Sequence, residues 1–483
     1  MNVESTGSRE KRSLRMWLFV CAVMLVATAG YVYFTAGRHE KRLRILVKQG
    51  VESVAVVKIA ENFSREQYVT VEVVQLPYDE LYDKEWQQLH TSKNSDDSSR
   101  FDVFMVDDPW LYALAQGGRL QRLTDLLKDQ EADFFPSTRR VASYCPSAPD
   151  CSEYFGIPFV ANSQLFVFRK SDFGGKAPVP VRWEDVLNDS GQIEHERPGS
   201  IGYVTRIGPG NSVVTDFLPI LWAYDSDSFP VIPAKDHPLK NPEPALAALK
   251  SLVATREKLG SASFDDFDVT AYLQKRRAAM GIAWSAWAMM LVDVEESQAH
   301  GDGEEVDEDL IFADIPHSSM DSKPEMGVWL LSVPDNAPQT ILATDFIRYA
   351  ADLRNDRQSQ QRTQSLLAAR SGTPPPRISV LQKLAEEPKY RDRHRSLIPA
   401  IERSLMAGRE RPRTPCWRKI ESRLGAYLET LIEQCVSGQA ITECANKDLA
   451  RLFDPNKCEA ERIPIDIPCL EQTISASACK TSK

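Results

Sequence analysis

RILVKQGVESVAVVKIAENFSREQYVTVEVVQL, residues 44–76, decides the fold class. RILVK is a short apolar strand. Val56, Ile59, Ala60 and Phe63 then fall at i, i+3, i+4 and i+7, the spacing of one helix face. YVTVEVVQL returns to a β-branched strand pattern, a helical stretch follows near Tyr82 to His90, and FDVFMV (101–106) is another buried-type strand. The order is βαβα, which predicts an α/β architecture with a mostly parallel sheet covered by helices on both faces.

Two loops interrupt this pattern, the polar SKNSDDSS (92–99) and PSTRRVASYCPSAPDC (136–151). A second alternating stretch starts at YFGIPFVANSQLFVFRK (154–170). It continues through the strand-like IGYVT, the apolar LPILWAY and the helical PALAALKSLVATREKL (244–259) to the strands GIAW and GVWLLSV. The chain then turns helical, with ATDFIRYAADL, a Pro-rich SGTPPPR turn and a final amphipathic helix marked by Trp417, Ile420, Leu424, Leu428, Leu431 and Ile432. No internal repeat is visible.

At 483 residues, with 42% hydrophobic and 26% charged residues, the chain has the balance of a globular protein of two or three compact units. Its formal charge of −10, with no basic stripe, argues against a nucleic-acid partner. Arg9, Lys11, Arg12 and Arg15 precede an apolar run from Met16 to Phe34. As a helix this run spans about 28 Å, enough for an uncleaved inner-membrane anchor, while Ala27-Thr28-Ala29 has the spacing of a signal-peptidase site. Both readings keep the basic residues cytoplasmic and place the body outside, in the periplasm or at the extracellular face. Cys21 sits in the run after bulky residues, which does not suit lipid modification. The other eight cysteines are Cys145, Cys151, Cys416, Cys435, Cys444, Cys458, Cys469 and Cys479. An even count in an oxidising compartment, with no His among them at ligand spacing, favours disulfides over metal, and 105 pairings are open. Cys145 and Cys151 bracket a short Pro-rich ring and are candidates for one bridge. The last forty-nine residues hold five of the nine cysteines and read as a disulfide-tied appendix.

Seven segments stand in a telling order: FDVFMVDDPWLYALAQGGRLQRL, YFGIPFVANSQLFVFRKSDF, VRWEDVLN, AAMGIAWSAW, MGVWLLSVP, SGTPPPRISVL and RPRTPCWRKI. Their colinear arrangement between Arg44 and Glu433 resembles the family 1 extracellular solute-binding proteins of ABC sugar importers, the maltose-binding-protein-like class. Two departures stand out. Arg276 occupies a position where the family usually has Gly, and is expected to be a solvent-facing variation at a helix end. The Cys-rich tail has no counterpart. The resemblance implies a two-lobed periplasmic-binding-protein fold after an N-terminal segment, 1–42, with a tail at 434–483. Residues 43–155 with 323–353 would form one lobe, and 160–311 with 371–433 the other. GIPFV and IFADIP would be the hinge strands, and ligand would select the closed form.

A sugar cleft pairs polar planar groups with aromatic rings. Asp107 and Asp108 end the strand FDVFMV, where side chains face the crevice, although one of them could simply cap the helix starting at Pro109. Trp110 follows. Trp284 is the chief candidate for the stacking platform, because the family places an aromatic at the end of that strand. Trp287, three residues on, is a weaker candidate, since that spacing also suits core residues on one helical turn. Trp222, Trp329, the loop residue Tyr78 and Asn162 complete the candidate set. Trp183 and Trp417 are expected to pack. IGPGNSVVT (207–215) lacks a phosphate-loop lysine and reads as a turn approaching ligand with its backbone.

An enzyme is not expected. Adjacent carboxylates cannot straddle a glycosidic bond, HExxH, GxSxG and Walker motifs are absent, and the seven His are scattered. No cofactor or metal is called for. The expected function is capture of a carbohydrate outside the cytoplasm and delivery to ABC permease subunits. The alternative is a membrane-anchored sugar sensor or scaffold without a transport role.

Overall fold

A computed structural model describes residue 24 and residues 42–91, 99–144, 153–173, 180–206, 211–224, 266–302, 309–318, 321, 323–413, 415, 417–418, 421–422, 424–426 and 428–429. Several expectations lie outside these residues: the run 16–34 apart from Met24, the helix 244–259, the tail 434–483 and all nine cysteines, so Cys145 and Cys151 among them. Among the described residues no helix is long and apolar enough to cross a membrane.

The opening stretch folds as β1 (Arg42–Lys48), α1 (Val54–Gln67) and β2 (Thr70–Leu76), with β1 and β2 parallel. Val56, Ile59, Ala60 and Phe63 of α1 are buried. The helix stops at Tyr68, whose left-handed φ of 53° turns the chain while its N–H reaches Ser64 O. Next come α2 (Tyr78–Leu89) and β3 (Val103–Asp107), which also runs parallel to β1.

The remaining strands are β4 (Ile157–Arg169), β5 (Ile201–Val204), β6 (Ala278–Trp284), β7 (Leu310–Ala313) and β8 (Met326–Ser332). Their order is β2-β1-β3-β8-β4-β6-β5, with β7 also on β4. The expectation of a mostly parallel sheet fails, because β8 is antiparallel to β3 and β4 is antiparallel to β8, β6 and β7. The parallel pairs β1·β2 and β5·β6 form within one lobe's strand–helix–strand order, whereas β8 arrives from the other lobe and runs the opposite way.

All thirteen residues of β4 are buried, and this strand belongs to both sheets. Up to Ser163, opposite Met326, it pairs with β8. From Gln164, opposite Trp284, it pairs with β6. The fold is therefore two α/β lobes sharing a continuous strand. Buried side chains form two clusters: the larger runs from β1, α1, β3 and β8 across the shared strand to residues of β5, β6 and β7, and the smaller gathers Phe166, Phe168, Trp183, Phe217, Trp222 and Trp417 in the second lobe.

Three further expectations change. PSTRRVA, read as loop, is α3 (Pro136–Ala142), because Pro136 suits a first helical turn and Val141 and Ala142 have a core to enter. The strand expected at GIAW starts earlier, because Ala278-Ala279-Met280, expected as a helix end before it, already belongs to β6. Asn211 to Thr215, read as turn, opens α5 (Asn211–Tyr224), which follows α4 (Trp183–Glu196), and residues 207–210 lie outside the described residues. Arg276 follows α6 (Asp266–Gln274) with φ 53°, a geometry that explains a glycine there. Its side chain is half exposed and pairs with Asp309 at 3.3 Å.

Candidate functional site

The carboxyl end of β3 carries Asp107, directly opposite Trp329 of β8, and then Asp108. Asp107 does cap the short turn Asp108–Trp110, accepting from Asp108 N at 3.1 Å, with Pro109 in its first turn. It also accepts from Tyr78 Oη at 2.8 Å and from Arg411 Nη2 at 3.0 Å. Capping and site building are thus served by the same carboxylate. Asp108 accepts from Arg411 Nη2 at 3.1 Å and from Val328 N at 3.0 Å.

Arg411 is the hub. Its Nε stands 3.3 Å from Glu325 Oε1 and its Nη1 donates to Glu421 Oε1 at 3.4 Å. Glu421 also accepts from Trp417 Nε1 at 3.2 Å and from Asn211 Nδ2 at 2.8 Å, so the N-terminus of α5 joins the cluster. Burial pushes Asp108 up to about 8, aided by Asp107 and opposed by Arg411. Burial likewise raises Glu325 far above the carboxylate range, and raises Glu421. The carboxyl of Glu85 on α2, fully buried, is raised well above its ordinary value by burial and then by the negative field of Asp107. Arg411 loses solvation, but Asp107, Asp108 and Glu325 outweigh that and keep it charged.

Beside the carboxylates stands an aromatic wall. Tyr78, the first residue of α2 instead of a loop residue, packs its ring 4.6 Å from Trp110 and 6.2 Å from Trp329, and Trp110 meets Trp329 edge-on at 5.8 Å. Cations lie over these faces: Arg418 above Tyr78 at 5.6 Å and Lys48 above Trp329 at 5.8 Å.

Trp284 ends β6 at the point where β4 changes sheet, and is 8% exposed. The Arg206 guanidinium lies 5.2 Å from its ring centroid. Arg206 in turn is bound to Asp216, whose Oδ1 accepts from Nε at 2.9 Å and whose Oδ2 accepts from the Arg206 backbone N–H at 2.7 Å. The far edge of the Trp284 ring rests on Gly327, where a Cβ would be only 3.3 Å away. Trp287 is half buried in the first turn of α7 (Ser285–Asp302), its indole N–H buried with no hydrogen-bond partner among the described residues. Asn162 is buried, accepts from Ala286 N at 3.0 Å and donates to Glu52 Oε1 at 3.3 Å, tying β4 to α7. Trp222 is fully buried in the second lobe, with Arg409 over its ring at 4.5 Å.

The structure thus brings Tyr78, Asp107, Asp108, Trp110 and Trp329 into one group and puts Trp284 at the junction next to it, with Arg206 lending its field to Glu325. Asn162 lies beside Trp284, the two flanking Gly327, whereas Trp287 and Trp222 have no described contact with that group. Sequence reasoning missed Arg411, Glu325, Glu421 and Asn211. Arg411 lay within the quoted RPRTPCWRKI and Glu325 directly before MGVWLL, but nothing local marks either as a partner of Asp108.

The family model described as bacterial extracellular solute-binding protein matches residues 49–354. A probable amino-acid ABC transporter periplasmic-binding protein, y4oP, from Sinorhizobium fredii (strain NBRC 101917 / NGR234) is 21% identical over 309 residues, 61% of this chain. The chain spans 65% of that relative's length. Maltose-bound MalE3 of T. maritima superposes with a TM-score of 0.66 at 17% identity, covering 85% of this chain and 98% of that one. A ribitol-bound solute-binding protein of Agrobacterium radiobacter K84 gives 0.63 at 18%, covering 84% and 98%. The GacH receptor of Streptomyces glaucescens gives 0.61 at 18%, covering 86% and 98%. Two lobes sharing a strand, with a polar and aromatic group where they meet, agree with the family match: the chain belongs to the bacterial extracellular solute-binding proteins, non-enzymatic binders that work outside the cytoplasm.

Proposed function

We propose that the chain captures a carbohydrate between its lobes and hands it to the permease of an ABC importer. The observation that carries this reading is the placement of Asp107 and Asp108 against the Tyr78, Trp110 and Trp329 wall, with Trp284 at the neighbouring sheet junction. Carboxylates accept from sugar hydroxyls while rings cover C–H faces. Proteins of this fold were solved with maltose, with ribitol and with acarbose, which supports the sugar class, and the relative named as part of an ABC transporter supports the partner.

A thermal-shift screen of mono- and oligosaccharides and polyols, followed by calorimetry on the hit, tests this. Trp284→Ala should weaken the hit about ten- to hundredfold, the loss of one ring face. Since Trp284 is nearly buried, the same change should also cost the empty protein about 3 kcal/mol, so Trp284→Phe, which keeps a ring, serves as control and should retain most of the affinity. A screen in which no sugar or polyol raises the melting temperature at millimolar concentration would overturn the carbohydrate reading.

A further inference from the structure

The charge of the lobe junction bears on which solute enters the cleft just proposed, and rests on that reading. Asp107, Asp108, Glu325 and Glu421 surround Arg411 at 3.0, 3.1, 3.3 and 3.4 Å, and none of the five side chains is more than 3% exposed. The nearest further cations do not restore balance. Arg206 is committed to Asp216, and Arg418, 3.9 Å from Glu421, is shared with Asp79. Were all four carboxylates ionised, Arg411 and the shared Arg418 would leave at least two buried negative charges in excess. Water cannot screen them there, so the site must take up protons or a cation.

A second observation concerns Glu325. It is wholly buried, and neither of its oxygens receives a hydrogen bond from a described residue, since Arg411 Nε lies near but out of line. A built acceptor therefore faces the cluster without a donor. The adjoining rings are of the kind that attract cations, and Arg418 and Lys48 already use three of them, at 5.6 Å from Tyr78, 5.8 Å from Tyr82 and 5.8 Å from Trp329. Among the described residues no three His, Cys, Asp or Glu are placed to hold a metal ion, which favours an organic cation.

We propose that the solute carries an amino or guanidino group that enters beside Glu325 and replaces a proton in the carboxylate cluster. The ligand is then an amino-bearing sugar or polyol. One N–H of the group supplies the donor that Glu325 lacks, and the positive charge offsets part of the excess. The exchange is balanced: the cation enters, and a carboxyl proton leaves to the buffer.

Calorimetric titration of the full chain near neutral pH with matched probes decides this: glucose against glucosamine, and sorbitol against 1-amino-1-deoxysorbitol. In at least one pair the amine should bind about tenfold or more tightly than its neutral partner. Titration in buffers of different ionisation enthalpy should show proton release with the amine and none with the neutral partner. Glu325→Gln, which keeps size and shape, should remove the advantage, so that amine and neutral partner bind this variant with affinities within about twofold of each other. Neutral probes binding as tightly as the amines, or an amine advantage that survives Glu325→Gln, would overturn the proposal and leave the carbohydrate reading standing. No binding by any of the four probes at millimolar concentration would overturn this proposal, while the carbohydrate reading stands or falls by the wider screen.

Discussion

At the lobe junction burial raises the carboxyls of Asp108, Glu325 and Glu421 above their ordinary range. Asp108 goes from 3.8 to about 8, chiefly by burial, and Glu325 is raised far above the usual value for the same first cause. A carboxyl whose folded value lies above its unfolded value binds more protons when folded, so its stabilising contribution is full below the unfolded value and is lost as pH rises through the folded one. For Asp108 that window runs from about 4 to about 8. The melting temperature of the ligand-free protein should therefore fall as pH is raised across this window. Glu325→Gln, neutral at every pH, should flatten part of the decline. A melting temperature that rises with pH from 5 to 9 would contradict the buried-cluster account. Asp107 and Asp108 were legible as site candidates because they end an apolar strand. Arg411 was not, since it lies 304 positions from Asp107 and an arginine in a Pro-containing segment looks like any solvated one.

At the scale of elements, close approach decides what local pattern leaves open. Gly202 of β5 lies beneath α4 so tightly that a Cβ would stand 2.4 Å from Ser190 Cα and 2.5 Å from Ser190 O, both backbone atoms that cannot swing aside. Gly202→Ala should cost about 3 kcal/mol, read as a lowered urea midpoint with unchanged slope. Gly191, one residue after Ser190 on the same helix, has nothing within 4 Å of its Cβ position. Gly191→Ala should raise stability by about 0.5–1 kcal/mol through helix propensity. Equal effects of the two changes would show that the β5–α4 contact is looser than described. Periodicity found α1 because its apolar face repeats over four positions, whereas α3 escaped detection, since a seven-residue helix shows too few repeats and Pro136 reads equally as a loop residue.

For the whole molecule, β4 is the mechanical link, paired with β8 up to Ser163 and with β6 from Gln164. A strand shared by two sheets lets the lobes rotate while secondary structure stays intact. Saturating ligand should therefore reduce the radius of gyration in small-angle scattering while the far-ultraviolet circular dichroism stays constant. Confirmed binding without compaction would remove hinge closure from the account. The junction carries Arg411 bound to Asp107 of the first sheet and Glu421 bound to Asn211 at the head of α5, so opening must separate or hydrate groups that are buried in the described state.

Sequence by itself determined what depends on neighbours along the chain: the strand–helix–strand opening, the long apolar β4, the aromatic at the end of β6 and the paired carboxylates after β3. It also determined the family, because colinear segments keep their order whatever their individual weakness. Tertiary structure alone decided the antiparallel entry of β8, the single guanidinium serving four carboxylates, the cation covering Trp284 and the glycine beneath its edge. The reason is physical. Strand direction and buried charge are set by which surfaces lose water together, and those surfaces come from residues up to three hundred positions apart that no local window can join.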